Sequence, residues 1–187
     1  MSLEVPSPPL RQQFVAAMSH VACSVTVVTT EGVAGRFGLT VSAMSSVSAD
    51  GEHPTLLVCL DHRSAATDAL LANGVFCVNV LRENQAHISD TFAGRTGASS
   101  ADRFAVARWL PMASGVPRVV DPLVAFSCRV LSAQQVGTHF IILGAVLEVF
   151  EASARGTPLV YANRAYGTVQ RFEPSAAPPA GASDPPH

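Results

Sequence analysis

Residues Arg36 to Ser48 read RFGLTVSAMSSVS, so that Gly38, Thr40, Val41, Ser42, Ala43, Met44, Ser45 and Ser46 follow one another in a β-prone segment. A strand interior favours large β-branched or aromatic side chains, and a glycine among small hydroxyl residues marks a place where another group comes close to the backbone. The serines and the threonine add donors and acceptors. Two readings are open: a surface against which a flat or phosphorylated ligand lies, or a serine-rich edge loop. The next stretch carries the turn Glu52-His53-Pro54-Thr55, the apolar run LLVCL ending in Cys59 and Leu60, and then Asp61-His62-Arg63-Ser64. A cation and a hydroxyl at the start of a predicted helix suit an anion, while Ser64 also reads as a plain N-cap.

Other chemistry-bearing patterns are absent. There is no HExxH, GxSxG, GxGxxG or GxxxxGK[ST], and the histidines stand apart at 20, 53, 62, 87, 139 and 187. Cys23, Cys59, Cys77 and Cys128 each fall in an apolar run with no CxxC, which reads as small core residues, and no metal site is expected. A formal net charge of −2 with no Lys/Arg run gives nucleic acid no basic face. No apolar run reaches the roughly 18 residues of a membrane span, and the start lacks a signal pattern, so the expectation is no membrane and a cytoplasmic protein. With 48% apolar and only 14% charged residues, self-association is expected as a way to cover apolar surface.

The elements that must position these residues follow from periodicity. Leu10 to Val21 has apolar residues three and four apart, the pattern of an amphipathic helix after Pro8 and Pro9. CSVTVVTT, the small-residue segment and TLLVCL read as successive strands. Ser64 to Asn73, followed by Gly74, reads as a capped helix, and Phe76 to Leu81 as a strand. Glu83 to Ala93 is expected to be helical with Ile88 and Phe92 inward, and Gly94 to Ser100 a loop; Arg103 to Trp109 is ambiguous, with Trp109 read as packing. Leu123 to Leu131 and Gln135 to Phe150 read as long strands, the second bulged or bent at Gly137 and Gly144, and a short strand or turn surrounds Leu159 to Tyr161. The chain divides into an N-terminal extension over 1–9, one domain over 10–172 and a Pro/Ala-rich disordered tail over 173–187. Many strands with few helices predict a mainly β fold, a compact barrel rather than alternating βα units.

GLTVSAMSSVS (Gly38–Ser48), PTLLVCL (Pro54–Leu60), FCVNVL (Phe76–Leu81), FAG (Phe92–Gly94), Arg103-Phe104, GTH (Gly137–His139) and Tyr166, in this order, resemble the flavin reductase-like family with the FMN-binding split-barrel fold. Members include the reductase components of two-component flavin monooxygenases. The resemblance implies a Greek-key antiparallel split barrel with short flanking helices, and a homodimer. It implies an NADH-dependent (or NADPH-dependent) reduction of FAD or FMN, with the reduced flavin passed to a flavin-dependent monooxygenase that hydroxylates aromatic or phenolic compounds. The other reading on the same fold is a flavin- or haem-binding protein without turnover. In this chain Gly51-Glu52-His53-Pro54 is a longer, more polar turn than the paired prolines of many relatives.

Hydride transfer from nicotinamide to flavin needs no protein nucleophile, because the cofactor carries the chemistry and the protein supplies position and polarity. The resemblance therefore implies a flavin site made from Gly38, Thr40, Val41, Ser42, Ala43, Met44, Ser45, Ser46, Cys59, Leu60, Arg63, Ser64, Phe92, Ala93 and Gly94. Backbone groups at Gly38, Thr40, Ala43 and Met44 are expected to meet the pyrimidine edge. N–H groups near Cys59 and Leu60 are expected to face the charge that reduction leaves near N1. Ser45, Ser46, Arg63 and Ser64 are expected at the phosphate, and Arg95 is a further candidate for phosphate or adenine. His139 reads either as a strand histidine bonded to a neighbouring carbonyl or, by resemblance, as the catalytic histidine beside the nicotinamide, with Arg164 and Tyr166 closing over the NADH cleft.

Overall fold

The computed structural model describes residues 9–100, 102–152, 156–170 and 172. Residues 1–8 of the predicted N-terminal extension and the predicted tail over 173–187 lie outside the described residues. The elements run α1 (Leu10–Met18), β1 (Cys23–Ser24), β2 (Thr26–Thr30), β3 (Phe37–Val41), β4 (Met44–Ser48), β5 (Thr55–Asp61), α2 (Ala65–Asn73), β6 (Val75–Val80), α3 (Ala86–Phe92), β7 (Trp109–Pro111), β8 (Pro117–Val119), β9 (Val124–Val136), β10 (His139–Glu151), β11 (Leu159–Ala162) and β12 (Ala165–Thr168). Short 3₁₀ turns at Glu83–Gln85 and Asp102–Val106 flank α3.

Seven antiparallel strands form the main sheet in the order β3-β2-β6-β9-β10-β5-β4, beside a small β1-β11-β12 sheet and the β7-β8 hairpin. The two edges of the main sheet, β3 and β4, are consecutive in the chain and joined only by Ser42 and Ala43. Two linking residues span at most roughly 11 Å, so the sheet must curl until its edges nearly meet. The Ala43 carbonyl accepts the Cys59 N–H at 3.0 Å and fastens the crossing to β5. The segment predicted as one small-residue strand is thus two strands on opposite edges of a split barrel.

Alternation on β2 defines two cores. Val28 faces the barrel interior with Val41, Leu56, Val58, Leu60, Phe76 and Ile142. Its neighbour Val27 faces the other way, with Leu81, Ile88, Phe92 and Phe104. Both faces being covered, the β2 threonines must bond internally: Thr26 Oγ1 donates to the Val41 carbonyl at 2.7 Å and Thr30 Oγ1 to the Val75 carbonyl at 2.7 Å.

Helix α2 begins at the Ser64 cap, whose hydroxyl accepts the Ala66 N–H at 3.3 Å, and ends at Gly74 with φ of 70°. Both ends match the sequence expectation. Helix α1 stops at Met18, three residues before the predicted end, where Ser19 Oγ donates to the Ala16 carbonyl at 2.6 Å. The β9-β10 pair corrects the predicted strands. Gly137, with φ of 58°, is not a bulge inside a strand but half of the two-residue turn Gly137-Thr138, and residues 132–136 belong to β9. A left-handed φ in a two-residue hairpin loop is what glycine supplies. Gly144 does mark an irregularity, with a register shift between Leu143 and Gly144. Arg103 to Trp109 resolves into the end of a 3₁₀ turn and the start of the β7-β8 hairpin, in which Trp109 packs edge-on against Phe92 and Phe104. Cys77 and Cys128 are buried, Cys23 and Cys59 half-buried, and all four are free thiols.

Candidate functional site

Where β3 gives way to the crossing, the chain leaves its ladder. Ser42 and Ala43 are exposed. Among the described residues no protein group bonds the Ser42 N–H, the Ser42 carbonyl or the Ala43 N–H; only the Ala43 carbonyl is taken. The crossing therefore leaves two N–H donors and one carbonyl acceptor open. An isoalloxazine pyrimidine edge presents O4, N3–H and O2, so open backbone groups of both kinds fit a flavin.

A cavity of about 200 Å³ opens beside the crossing, lined by Val25, Thr40, Val41, Ser42, Ser89, Ala93, Arg95, Tyr161 and Tyr166. Six of its walls, Thr40, Val41, Ser42, Ala93, Arg95 and Tyr166, are sequence-predicted candidates, drawn from three distant parts of the chain. Thr40 does not point a free hydroxyl at the cavity: its Oγ1 donates to the Ser89 carbonyl at 2.7 Å and ties β3 to α3. Tyr166 is held by its phenol oxygen, 2.9 Å from Ser89 Oγ and 2.8 Å from Asp90 Oδ1. Burial, the leading cause, raises the Tyr166 hydroxyl above its usual range.

Several expected roles are redirected. Gly38 is small because of Phe92: a Cβ there would stand 2.7 Å from Phe92 Cε1, so the group that comes close to this backbone is a core ring and no ligand. Phe92 is 1% exposed and belongs to the second core. The Cys59 N–H is spent on the Ala43 carbonyl, and Leu60 is fully buried in the barrel. Gly94, with φ of 76°, turns the chain away after α3.

The remaining candidates lie outside the lining of this cavity. Met44, Ser45 and Ser46 line a groove of about 510 Å³ with Val47, Pro54, Phe126 and Val146. Ser45 Oγ donates to the Ser46 carbonyl at 3.1 Å. At the far end of β5, Arg63 is clamped on Asp61, Nη2 to Oδ2 at 2.6 Å and Nε to Oδ1 at 3.1 Å. The Arg63 side chain bonded to Asp61 holds that carboxyl well below the usual carboxylate range. His139, exposed at the start of β10, is the cross-strand neighbour of Asp61, and its Nδ1 lies 3.0 Å from Thr138 Oγ1. Arg164 sits in the β11-β12 turn with φ of 61°.

Sequence reasoning missed Ser89 and Tyr161. Ser89 lies four residues before Ala93 on the same helical face, a spacing that could have found it. Tyr161 faces Tyr166 across the hairpin, ring centroids 5.4 Å apart. Among the described residues no group of histidine, cysteine and carboxylate side chains could hold a metal ion, and no helix is long and apolar enough to cross a membrane.

Over 167 residues the chain is 41% identical to an FMN reductase (NADH), RutF 1, of Methylorubrum extorquens, covering 89% of this chain and 81% of the relative. The NADH:FAD oxidoreductase SgcE6 of Streptomyces globisporus C-1027, solved in complex with NAD and FAD fragments, superposes with a TM-score of 0.76 at 27% identity, covering 94% of this chain and all of that one. A homologue of nitrilotriacetate monooxygenase component B from Mycobacterium thermoresistibile does so with a TM-score of 0.77 at 28% identity over 93% of each chain. Residues 18–170 match the flavin reductase like domain, and the chain belongs to that family.

Proposed function

We propose that this protein is an NADH-dependent flavin reductase that binds FAD or FMN at the Ser42-Ala43 crossing and hands the reduced flavin to a separate monooxygenase. The observation that carries this reading is the set of open backbone donors and acceptor at the crossing, beside a cavity lined by predicted site residues, in a chain of the flavin reductase-like family. When bound, the flavin supplies a two-electron acceptor for the hydride of reduced nicotinamide. The protein's own part is positional. Ser42 and Ala43 hold the pyrimidine edge, and Thr40, fixed to α3 through Ser89, keeps the crossing in place. Tyr166 walls the cavity, with Arg164 in the adjoining turn as a contact for NADH. His139, at the β10 rim beside Asp61, orients the nicotinamide. In this reading Met44, Ser45 and Ser46 extend the flavin surface along β4, and Ser64 and Arg63 border it.

A homodimer is part of this reading, and the surface supports it. Val47, Leu131, Val136, Leu147 and Val149 are exposed on β4, β9 and β10, and α1 exposes Leu10, Phe14, Val15 and Met18 with no buried residue of its own. Apolar area of this extent on one molecule favours association with a second copy. The resemblance to reductase components of two-component systems supports a partner oxygenase acting on aromatic or phenolic compounds.

Steady-state oxidation of NADH and NADPH, with free FAD and FMN, tests the enzyme. Saturable flavin-dependent turnover is expected, faster with NADH; no such turnover with either nucleotide overturns the reading, and tight flavin retention without turnover would identify a carrier instead.

A further inference from the structure

Asp90 and Arg95, joined to Tyr166 at one wall of the cavity, form a charged pair to which the hydride-transfer reading above gives no role. Among the described residues that line the 200 Å³ cavity, Arg95 is the sole cation and none is a carboxylate. The guanidinium is held from three sides. Its Nη1 donates to Asp90 Oδ1 at 2.9 Å and lies 3.3 Å from the Tyr166 hydroxyl, while its centre stands 5.7 Å from the ring centroids of both Tyr161 and Tyr166. Both hydrogen-bond contacts use Nη1, and 51% of the side chain stays open. The Ser42 hydroxyl on the same cavity bonds no described residue. Open donors facing a cavity that no described carboxylate lines suit a group that only accepts.

As a mere clasp between α3 and the β11-β12 hairpin, Arg95 would be redundant, because Tyr166 already closes that contact on Ser89 and Asp90. An arginine fixed on one edge by a carboxylate keeps its remaining N–H groups aimed in one direction, and planar guanidinium matches phosphate oxygens in pairs. We propose that Asp90 is a positioning residue that presents Arg95, with the Ser42 hydroxyl, as the receptor for a phosphate group entering the cavity. This rests on the flavin reductase reading, in which two ligands carry phosphate: the flavin at its 5′ end and the dinucleotide at its pyrophosphate.

Binding measurements separate the sources. If the group is the flavin's, Arg95→Ala weakens FMN by about ten- to a hundredfold, the scale of a lost charge-assisted bond, and leaves riboflavin, which has no phosphate, unchanged. Asp90→Asn, which keeps the shape and removes the charge, moves the FMN-to-riboflavin ratio the same way by less, and Arg95→Lys restores part of it. If the group is the dinucleotide's, Arg95→Ala raises the KM for NADH with FMN affinity intact. Pyrophosphate alone supplies a readout independent of flavin, raising the Tm of the unmodified chain but not of Arg95→Ala. FMN and riboflavin weakened equally, or no change in FMN affinity, NADH KM or the pyrophosphate shift, overturns the proposal. A chain that turns over NADH with FMN while showing either pattern keeps its function and loses only this site; one that binds pyrophosphate at Arg95 yet never oxidises NADH loses the function and keeps the site.

Discussion

Strand β2 and the Ser42-Ala43 crossing stand only a strand apart, yet they treat their polar groups in opposite ways. Every residue of β2 is buried, and Thr26, Thr29 and Thr30 all spend their hydroxyls on backbone carbonyls, of Val41, Pro117 and Val75. At the crossing, three of four backbone groups have no partner among the described residues. Unpaired backbone groups survive only where water or a ligand meets them. The difference separates what makes the barrel from what the barrel is for: closure of the sheet forces a two-residue jump between edges, and the jump leaves the peptide groups that no strand claims.

That contrast breaks if core substitutions alter ligand binding selectively, or if changes near the open surface unfold the protein. Phe92→Ala is expected to show the largest effect, a loss of about 3–5 kcal/mol in denaturant unfolding from the cavity it leaves beneath Gly38. Retained stability would mean that Phe92 does not tie the second core together. Gly144→Ala comes next. The new Cβ would stand 2.5 Å from Phe76 Cζ inside the barrel, and overpacking of this kind costs about 1–3 kcal/mol. An unchanged unfolding midpoint would show that Phe76 moves freely, against the tight interior described above.

On the open side, His139→Ala should leave unfolding unchanged, because the residue is exposed, and raise the KM for NADH by about tenfold, the worth of one hydrogen bond, with flavin affinity little altered. Equal loss of both would mark His139 as structural. The smallest contrast is in the thiols. Burial pushes Cys128 up to about 12 and Cys77 higher still, so neither forms thiolate at about pH 8 in the native protein. Burial raises Cys59 too, but its side chain is half-buried next to the crossing. Thiol labelling should therefore reach Cys23 and Cys59 and spare Cys77 and Cys128 until unfolding, and FMN should slow Cys59 alone; labelling of all four at one rate contradicts the buried pair.

What is legible in the sequence is local. The Ser64 cap, the Asn73-Gly74 end of α2 and the inward Ile88 and Phe92 depend on neighbours within a turn, and the structure places them as read. Gly137 is ambiguous because a glycine in a β-rich run serves a bulge or a turn equally well, and the choice depends on the register of β9 against β10. The split between β3 and β4 is not legible at all, since only the order of seven strands reveals that consecutive segments occupy opposite edges. The site shows the same division. Resemblance groups Thr40, Ser42, Ala93 and Tyr166, which line one cavity, but gives no sign that Phe92 fills the space beside Gly38, because that ring comes from more than fifty residues away in sequence.

The central claim is that the crossing receives the flavin edge through its own backbone. Hydrogen exchange of the Ser42 and Ala43 amides, followed by NMR with and without FMN, tests it directly. Both amides should exchange rapidly in the free protein, and the one that meets the flavin edge should become strongly protected when FMN binds, with β2 unchanged; binding of FMN that leaves both amides as exposed as before would contradict it.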